Sequence, residues 1–265
     1  MINWVDRSAR ERFVSRRSAW AAIIVPLAGL AVVLGVRVLS IETFRFLIEE
    51  DGLVEWLQFA CFLAAAIIGG IIAIRRWGDR HLIQALVYAS AAIGLFFVAG
   101  EEIAWGTRLM ALETPEWLRE INLQEEVTLH NVEGVLFWFN MVLLGTALYG
   151  MVADPLNWRT RIAERWSHGR ALFVPPFFLV SAFGVMAVLR IYRLIVGGPS
   201  QYTVTKLIEW AEMCYAAAVV WFVWLALRAL RAARTDGSHS AVNGPDADSP
   251  SGAPATETGA RPQEP

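Results

Sequence analysis

Six apolar stretches, each long enough to cross a lipid bilayer, alternate with short polar connections along the chain. About 20 apolar residues in a helix span the roughly 30 Å of hydrocarbon in a bilayer. Backbone groups in lipid must be bonded within their own segment, so we expect all six stretches to be α-helices. The predicted segments are residues 20–39, 53–74, 82–103, 132–152, 171–196 and 207–230. This pattern predicts an all-α, integral membrane bundle of about six transmembrane helices.

The two ends of the chain differ from this apolar middle. Residues 1–19 carry five arginines among apolar positions, so they are predicted to form a short cytoplasmic amphipathic helix against anionic lipid. Residues 20–234 are the predicted transmembrane domain. Residues 235–265 are rich in Gly, Pro, Ser and Asp, so they cannot bury enough apolar surface to fold. They are predicted to be a disordered cytoplasmic tail, whose role the sequence does not specify.

The charges of the short connections predict the orientation. Arginines cluster in the N-terminal segment, in two connections (75–80 and 159–170) and after the last apolar segment. Basic loops stay in the cytoplasm, so both termini are expected there. The other three connections are acidic or neutral and are expected on the extracytoplasmic side. Between the third and fourth segments, the Thr114-Pro115-Glu116 run predicts the start of an interfacial helix.

Composition supports a membrane protein and argues against other classes. The 265 residues are 56% hydrophobic and 18% charged, with a mean hydropathy of +0.44. A formal net charge of −2 without a clustered basic surface argues against nucleic-acid binding. Cys61 and Cys214 lie within apolar runs, where a thiol behaves as a small hydrophobic group. We therefore predict neither a disulfide nor a cysteine-ligated metal.

Ionisable residues within or beside the segments fall almost entirely on the predicted extracytoplasmic side. Charge at membrane depth is costly unless it is paired or hydrated, so it indicates a functional site. We predict Glu101, Glu102 and His130 as catalytic residues. The predicted substrate-binding residues are Trp105, Arg108, Asn131 and Arg190, and the predicted metal ligands are Glu126, His130, Glu209 and Glu212.

Helical spacing adds detail to this prediction. If residues 123–139 form a continuous helix, Glu126, His130 and Glu133 lie on one stripe of it. Charges near segment ends also have simpler interpretations: Glu55 and Lys206 are expected to reach toward the interface, and Trp105 is typical of an interfacial aromatic belt. Arg190 is expected to pair with Glu209, Glu212 or Glu102.

The number of histidines bears on the cofactor. His130 is alone on the predicted extracytoplasmic side, whereas zinc sites usually have two or three His or Cys ligands. Zn²⁺ is therefore a less usual choice than Mn²⁺, Mg²⁺ or Ca²⁺, which suit carboxylates better. Without a metal, a paired carboxylate beside an arginine would serve as general acid or base, with His130 as its partner. The sequence leaves the cofactor undetermined.

Two resemblances are carried by the central third of the chain. The G-E-E-I-A-W-G-x-R run at 100–108, with E-T-P-E at 113–116 and I-N-L-Q…L-H-N at 121–131, resembles a pattern in uncharacterised bacterial polytopic membrane proteins. This likeness implies a multi-pass protein of the bacterial inner membrane and no particular activity. The Glu-Glu pair followed by an arginine is also similar to the E-E-x-x-x-R motif of type II CAAX-prenyl endopeptidases, which are glutamate-dependent intramembrane proteases. That resemblance implies a water-activating role for Glu101, supported by Glu102 and by Arg108, which stands two positions later than the motif's arginine.

Three functions are consistent with these observations. The first is a membrane-embedded hydrolase or transferase that acts on a lipid or lipid-linked substrate. The second is an ion-coupled transporter, in which the same carboxylates bind the ion. The third is a non-catalytic scaffold or subunit, in which the charges only hold the helices together. The substrate and the oligomeric state are not specified by the sequence.

Overall fold

A computed structural model of the chain is helical throughout its described part. It describes residues 2–48, 52–107, 110, 113–122, 127–129, 132, 134–196 and 202–242. The helices are α1 (Ile2–Glu11), α2 (Arg16–Leu39), α3 (Ile41–Ile48), α4 (Leu53–Gly78), α5 (Leu82–Glu102), α6 (Glu116–Arg119), α7 (Val135–Thr160), α8 (Gly169–Phe173), α9 (Val180–Val196) and α10 (Tyr202–Val242). In these residues the only β pairing is one isolated bridge, between Asn122 and Val132.

Six of the described helical segments are long and apolar enough to cross a membrane, which confirms the predicted class of fold. The fifth begins as α8, passes through an extended stretch and a 3₁₀ turn (Phe177–Leu179), and continues as α9. Large apolar side chains such as Ile67, Ile93 and Val142 are exposed on the outer surface of the helices, as in proteins that contact lipid. The helices are therefore compatible with a multi-pass membrane protein.

Helix α7 carries an exposed tryptophan near each of its ends. Trp138 and Trp158 are both exposed on α7 and stand about 30 Å apart along its axis. Tryptophan concentrates at the two interfaces of a bilayer, and this spacing matches the hydrocarbon thickness. Asn140 and Asp154 lie just inside these two tryptophans. We call the two ends of the bundle the Asn140 end and the Asp154 end.

The core is made of apolar side chains between the two ends. Phe62, Phe178 and Met186 are completely or almost completely buried in its largest cluster. Helices α4 and α5 form an antiparallel hairpin, and α9 packs against both α2 and α7. This apolar layer separates the polar groups of the Asn140 end from those of the Asp154 end.

A proline in α2 is compensated by a neighbouring helix. Pro26 has no N–H, so the carbonyl of Ala22 lacks its intrahelical donor. The Ser181 hydroxyl of α9 donates to that carbonyl at 3.1 Å. One turn further along α2, Gly29 lies directly against the Trp210 ring, whose Nε1 donates to the Pro26 carbonyl at 3.1 Å. Helices α2, α9 and α10 are thereby fixed to one another.

The N-terminal helix α1 packs on protein at the Asp154 end. Its Val5, Ser8 and Ala9 side chains are buried. Arg12, just after α1, donates to three backbone carbonyls, those of Arg170 (2.7 Å), Ala171 (3.2 Å) and Val174 (2.5 Å). Burial lowers the pKa of Arg12 to about 10, a shift opposed by the Asp154 carboxylate. A contact of its outer face with anionic lipid stays a prediction.

Buried Asp154 belongs to this network. It accepts from Arg170 (3.2 Å) and from the backbone N–H of Phe177 (3.1 Å). On α4, buried Arg76 donates to Gln84 (2.6 Å) and to Asp79 (3.2 Å). Buried charged groups of the helices therefore lie at both ends of the bundle, whereas almost all of them were predicted at one end. The Asp154 end also has buried charge, since its side chains bond the loops and helix ends found there.

Three predicted boundaries change. The condition for a polar stripe, a continuous helix over 123–139, is not met: residues 127–129 are not helical, Val132 forms the bridge with Asn122, and Gly134 has a φ of 85° just before α7. Glu126, His130 and Glu133 lie outside the described residues. The predicted interfacial helix corresponds to one described turn, α6, and its position in a membrane stays a prediction.

The C-terminal boundary also moves. The chain divides into two units, Met1–Leu230 and Arg231–Pro265. In the second unit the described residues continue α10 to Val242, so residues 235–242 of the predicted tail are helical. Residues 243–265 lie outside the described part.

Candidate functional site

Polar side chains from five helices meet at the Asn140 end and form what we call the Glu102 cluster. Three acidic or amide groups come from α4 and α7, and the remaining charges come from α5, α9 and α10. Its members are Glu55, Gln58, Glu101, Glu102, Asn140, Arg190, Glu209 and Glu212. Carboxylates and an arginine from separate helices thus lie close together at the Asn140 end of the bundle.

Arg190 is the central cation of the Glu102 cluster. Its side chain on α9 is only 5% exposed. It donates to the Asn140 amide oxygen on α7 and to the Glu212 carboxylate on α10. A buried ion pair is expensive to desolvate, and removing one partner leaves a buried charge without compensation. The predicted pairing of Arg190 with Glu212 is confirmed, and it ties three helices together.

Glu102 lies among other carboxylates. It is half-buried at the end of α5 and interacts electrostatically with Glu209, Glu55 and Arg190. Repulsion between like charges is strong where water is scarce, so protons, a cation or a polar ligand stabilise such a group. Glu55 thus faces other members of the cluster, in addition to any interfacial contact it makes.

Two buried polar atoms of the cluster have no hydrogen-bond partner within the described part of the chain. Gln58 is completely buried, and its Nε2 donates to the Glu209 carbonyl at 2.6 Å, while its Oε1 accepts from no described group. The Arg190 Nε likewise donates to no described group. Buried polar atoms are normally bonded to protein or to ordered water. One unused acceptor and one unused donor in the same cluster suit a ligand or waters that offer both functions.

Glu101 has a different role from its neighbour. It is 2% exposed, and both of its oxygens accept hydrogen bonds at 2.6 Å, one from the Trp105 Nε1 and one from the backbone N–H of Leu129. Its carboxylate therefore holds two loop segments against the end of α5. This use favours a positioning role for Glu101 over its predicted role as the catalytic base.

The turn that Glu101 holds is strained. Ala104, Trp105 and Gly106 have positive φ values of 45°, 55° and 77°. The left-handed region costs a residue other than glycine about 1–2 kcal/mol. Gly100 permits the turn, because an added Cβ would lie 2.8 Å from the Trp105 ring. Strain of this kind persists where surrounding contacts fix it, as here, and it concentrates at functional sites.

The other predicted site residues divide into two groups. Glu209 and Glu212 belong to the cluster, and Trp105 stands beside it through its bond to Glu101. The remaining predicted residues lie outside the described part of the chain; these are Arg108, Glu126, His130 and Asn131. Their catalytic, binding and ligand roles stay predictions.

The predicted metal site is only partly covered by the structure. Among the described residues, no group of three His, Cys, Asp or Glu side chains is arranged to hold a metal ion. Of the four predicted ligands, Glu212 is engaged by Arg190 and Glu209 interacts with Glu102 and Arg190. Glu212 could bind a metal ion only if its ion pair with Arg190 were broken.

Sequence reasoning missed two polar residues of the cluster. Asn140 was not predicted, although a single amide in the apolar run F-W-F-N-M-V is a signal of function. Gln58 lies within the second predicted segment and was not assigned to the site either. The Asn140 amide oxygen accepts from the Arg190 guanidinium, whereas the Gln58 amide donates to the backbone carbonyl of Glu209.

The comparisons with known proteins add no assignment. No protein-family model, no curated protein and no solved structure matches the chain.

Proposed function

We propose that the chain is an integral membrane enzyme, a hydrolase or transferase that acts on a lipid or lipid-linked substrate at the Glu102 cluster. The proposal places this cluster on the extracytoplasmic side of a bacterial inner membrane, with both termini in the cytoplasm. One observation carries it. Half-buried Glu102 lies beside Arg190 and other carboxylates at the Asn140 end of the bundle, where two buried polar atoms have no described partner.

Each member of the cluster has a role in this proposal. Glu102 is the general base that takes a proton from water or from a substrate hydroxyl, and general acid–base catalysis contributes about 10²–10⁴-fold. Arg190, fixed by Asn140 and Glu212, stabilises negative charge that develops on the substrate. Glu101 and Trp105 position the loop that borders the site. His130 is proposed as the second proton-transfer group.

The metal-free version of this chemistry is the better supported one. Glu212 already neutralises Arg190, so a metal held by Glu126, His130, Glu209 and Glu212 would compete with that ion pair. Metal analysis of the purified protein separates the two versions. Stoichiometric Mn²⁺, Mg²⁺, Ca²⁺ or Zn²⁺ that is lost in His130→Ala would favour the metal enzyme.

Turnover of lipid tests the proposal directly. The full-length protein is placed in nanodiscs of a bacterial polar lipid extract, and lipid classes are followed by mass spectrometry. We expect one class to be converted by the wild type, and conversion to fall by at least about 100-fold in Glu102→Gln. Glu42→Gln is the matched control, because Glu42 is exposed on α3. Equal turnover in both variants, or no change in any lipid class, would refute the enzyme.

An ion-coupled transporter is the second candidate, favoured by one observation. Glu102, Glu209 and Glu55 interact as like charges, an arrangement that a bound cation would relieve. The apolar core between the two ends argues against a continuous polar path for that ion. Proton or cation uptake into proteoliposomes that is abolished by Glu102→Gln, without lipid turnover, would establish the transporter. Loss of folding in Glu102→Gln, with neither activity, would favour the scaffold.

Accessibility of one residue tests the orientation. Trp117 on α6 is well exposed. In intact cells, Trp117→Cys should react with a membrane-impermeant maleimide added from outside. Reaction only after permeabilisation would place the Glu102 cluster on the cytoplasmic side.

A further inference from the structure

A second feature near the Glu102 cluster is an apolar groove between α2, α9 and α10. Its volume is about 250 Å³, and most of its lining side chains are small. The α2 wall is Ala21, Ala22, Val25 and Pro26, the α9 side is Leu179 and Ala182, and α10 contributes Trp210, Met213, Cys214, Ala217, Ala218 and Trp221. We call this feature the apolar groove.

The apolar groove opens sideways from the bundle. Val25 on its rim is 58% exposed, and Ala21 is exposed as well. Both lie in the interior of α2, about 8–14 Å from its Arg16 end. This level lies within the hydrocarbon layer if α2 spans a membrane. An opening at that level, lined by apolar side chains, is reached from the lipid phase.

Fixed contacts hold the groove open. The Trp210 ring rests against Gly29 and bonds the Pro26 carbonyl, and Ser181 bonds the Ala22 carbonyl. These bonds set the separation of the three helices that form the walls. The small side chains of Ala22, Ala182 and Ala218 leave the space unfilled.

The groove and the Glu102 cluster share two helices. Met213 on the wall directly follows Glu212, and Ala182 lies about 12 Å along α9 from Arg190. A lipid chain can cover that distance. Sites for drug-sized ligands measure about 300–1,000 Å³, so a volume of about 250 Å³ suits one chain better than a whole lipid.

We propose that the apolar groove binds one acyl chain of the lipid whose headgroup reacts at the Glu102 cluster, an inference that rests on the proposed function. The groove then defines the substrate as a lipid with at least one apolar chain. It also gives the bundle a lateral route for the lipid, from the hydrocarbon layer between α2 and α10.

Photolabelling tests chain binding without requiring turnover. The full-length protein is placed in phosphatidylethanolamine–phosphatidylglycerol vesicles with a phospholipid that carries a diazirine in the middle of one chain. After irradiation, labelled peptides are mapped by mass spectrometry. We expect labels on residues 21–26 and 213–221. Filling the groove with Ala217→Phe should reduce them by about tenfold.

A matched control uses the same substitution on the outside of α2. Ala31 is exposed and does not line the groove, so Ala31→Phe should leave the labelling of residues 21–26 and 213–221 unchanged. Labels spread evenly over all outward faces, or equal labelling in Ala217→Phe, would overturn the proposal. Crosslinks between copies of the chain at Ala21 or Val25 would overturn it in favour of a second copy as the occupant.

The same experiment separates the two proposals. Labelling as expected without lipid turnover would count against the enzyme and would leave the groove as a lipid-binding site. Lipid turnover that persists in Ala217→Phe, with no selective labelling, would count against the groove alone.

Discussion

Substitution of Glu101 by Gln tests whether this carboxylate positions the loop beside the site. Its two oxygens accept from the Trp105 Nε1 and from the Leu129 N–H, both at 2.6 Å. A glutamine keeps one acceptor, while its amide N–H groups face the other donor. The change removes a charge-assisted bond, which is worth about 1.5–3 kcal/mol, and weakens the second one. We therefore expect Glu101→Gln to lower the free energy of unfolding by about 3 kcal/mol.

The measurement is thermal unfolding in detergent, followed by tryptophan fluorescence. For a chain of this size, 1 kcal/mol corresponds to about 2–4 °C, so the midpoint should fall by about 6–12 °C. Glu42→Gln, at an exposed position, should fall by less than about 2 °C. Trp105→Phe removes one of the donors and should give an intermediate shift. An unchanged midpoint for Glu101→Gln would refute the positioning role.

Three further predictions concern packing, docking and pH. Gly29→Ala places a Cβ 2.0 Å from the nearest atom of the Trp210 ring, so overpacking should destabilise the protein by about 1–3 kcal/mol in denaturant unfolding, whereas Gly35→Ala, with open space around it, should not. Arg12→Gln removes donors from buried carbonyls, so amide exchange in α1 should accelerate by about tenfold or more. His168 is largely exposed, but its partial desolvation and nearby Arg76 lower its pKa below the usual 6.5, so the unfolded chain takes up the proton first. Thermal stability should then fall as the pH drops below about 6.5, and less so in His168→Asn.

These three predictions fail on different results. Equal denaturant midpoints for Gly29→Ala and Gly35→Ala would contradict the contact with the indole. Exchange in α1 that is as slow in Arg12→Gln as in a variant of exposed Arg10 would show that other contacts dock this helix. A pH profile that His168→Asn leaves unchanged would assign the pH dependence to other groups.

The spans were predictable from sequence because lipid-crossing helices require long apolar runs, and all six correspond to described helical segments. The charged members of the Glu102 cluster were also predictable, since charge in such runs is rare and needs a partner. The backbone conformation of the connection before α7 was not predictable from the sequence. Helical spacing suggested one polar stripe along a helix over residues 123–139. In the structure, Gly134 has a positive φ and Val132 pairs with Asn122, so the helix is interrupted there. Such backbone reversals depend on local contacts that a hydrophobicity pattern does not encode.

The sequence pattern also failed to predict which amide and carboxylate side chains join the buried polar networks. Asn140 is uncharged and sits in an apolar run, so only its contact with Arg190 shows its role. Asp154 follows the predicted end of its segment, whereas α7 continues to Thr160 and carries it into the bundle. A sequence pattern indicates which side chains are polar, and the packing of α9 against α7 decides which of them meet.

The bond from Ser181 to the Ala22 carbonyl links α2 to a helix that the ribosome makes much later in the chain. Until α9 is synthesised, the carbonyl that Pro26 leaves without a donor must face lipid, water or an insertion factor. Helix α2 therefore cannot form all of its final hydrogen bonds before α9 has been synthesised. Its maturation should coincide with the arrival of α9, and nascent chains truncated before residue 181 should hold α2 loosely in the membrane. Pro26 and Ser181 therefore make the completion of α2 depend on the arrival of α9.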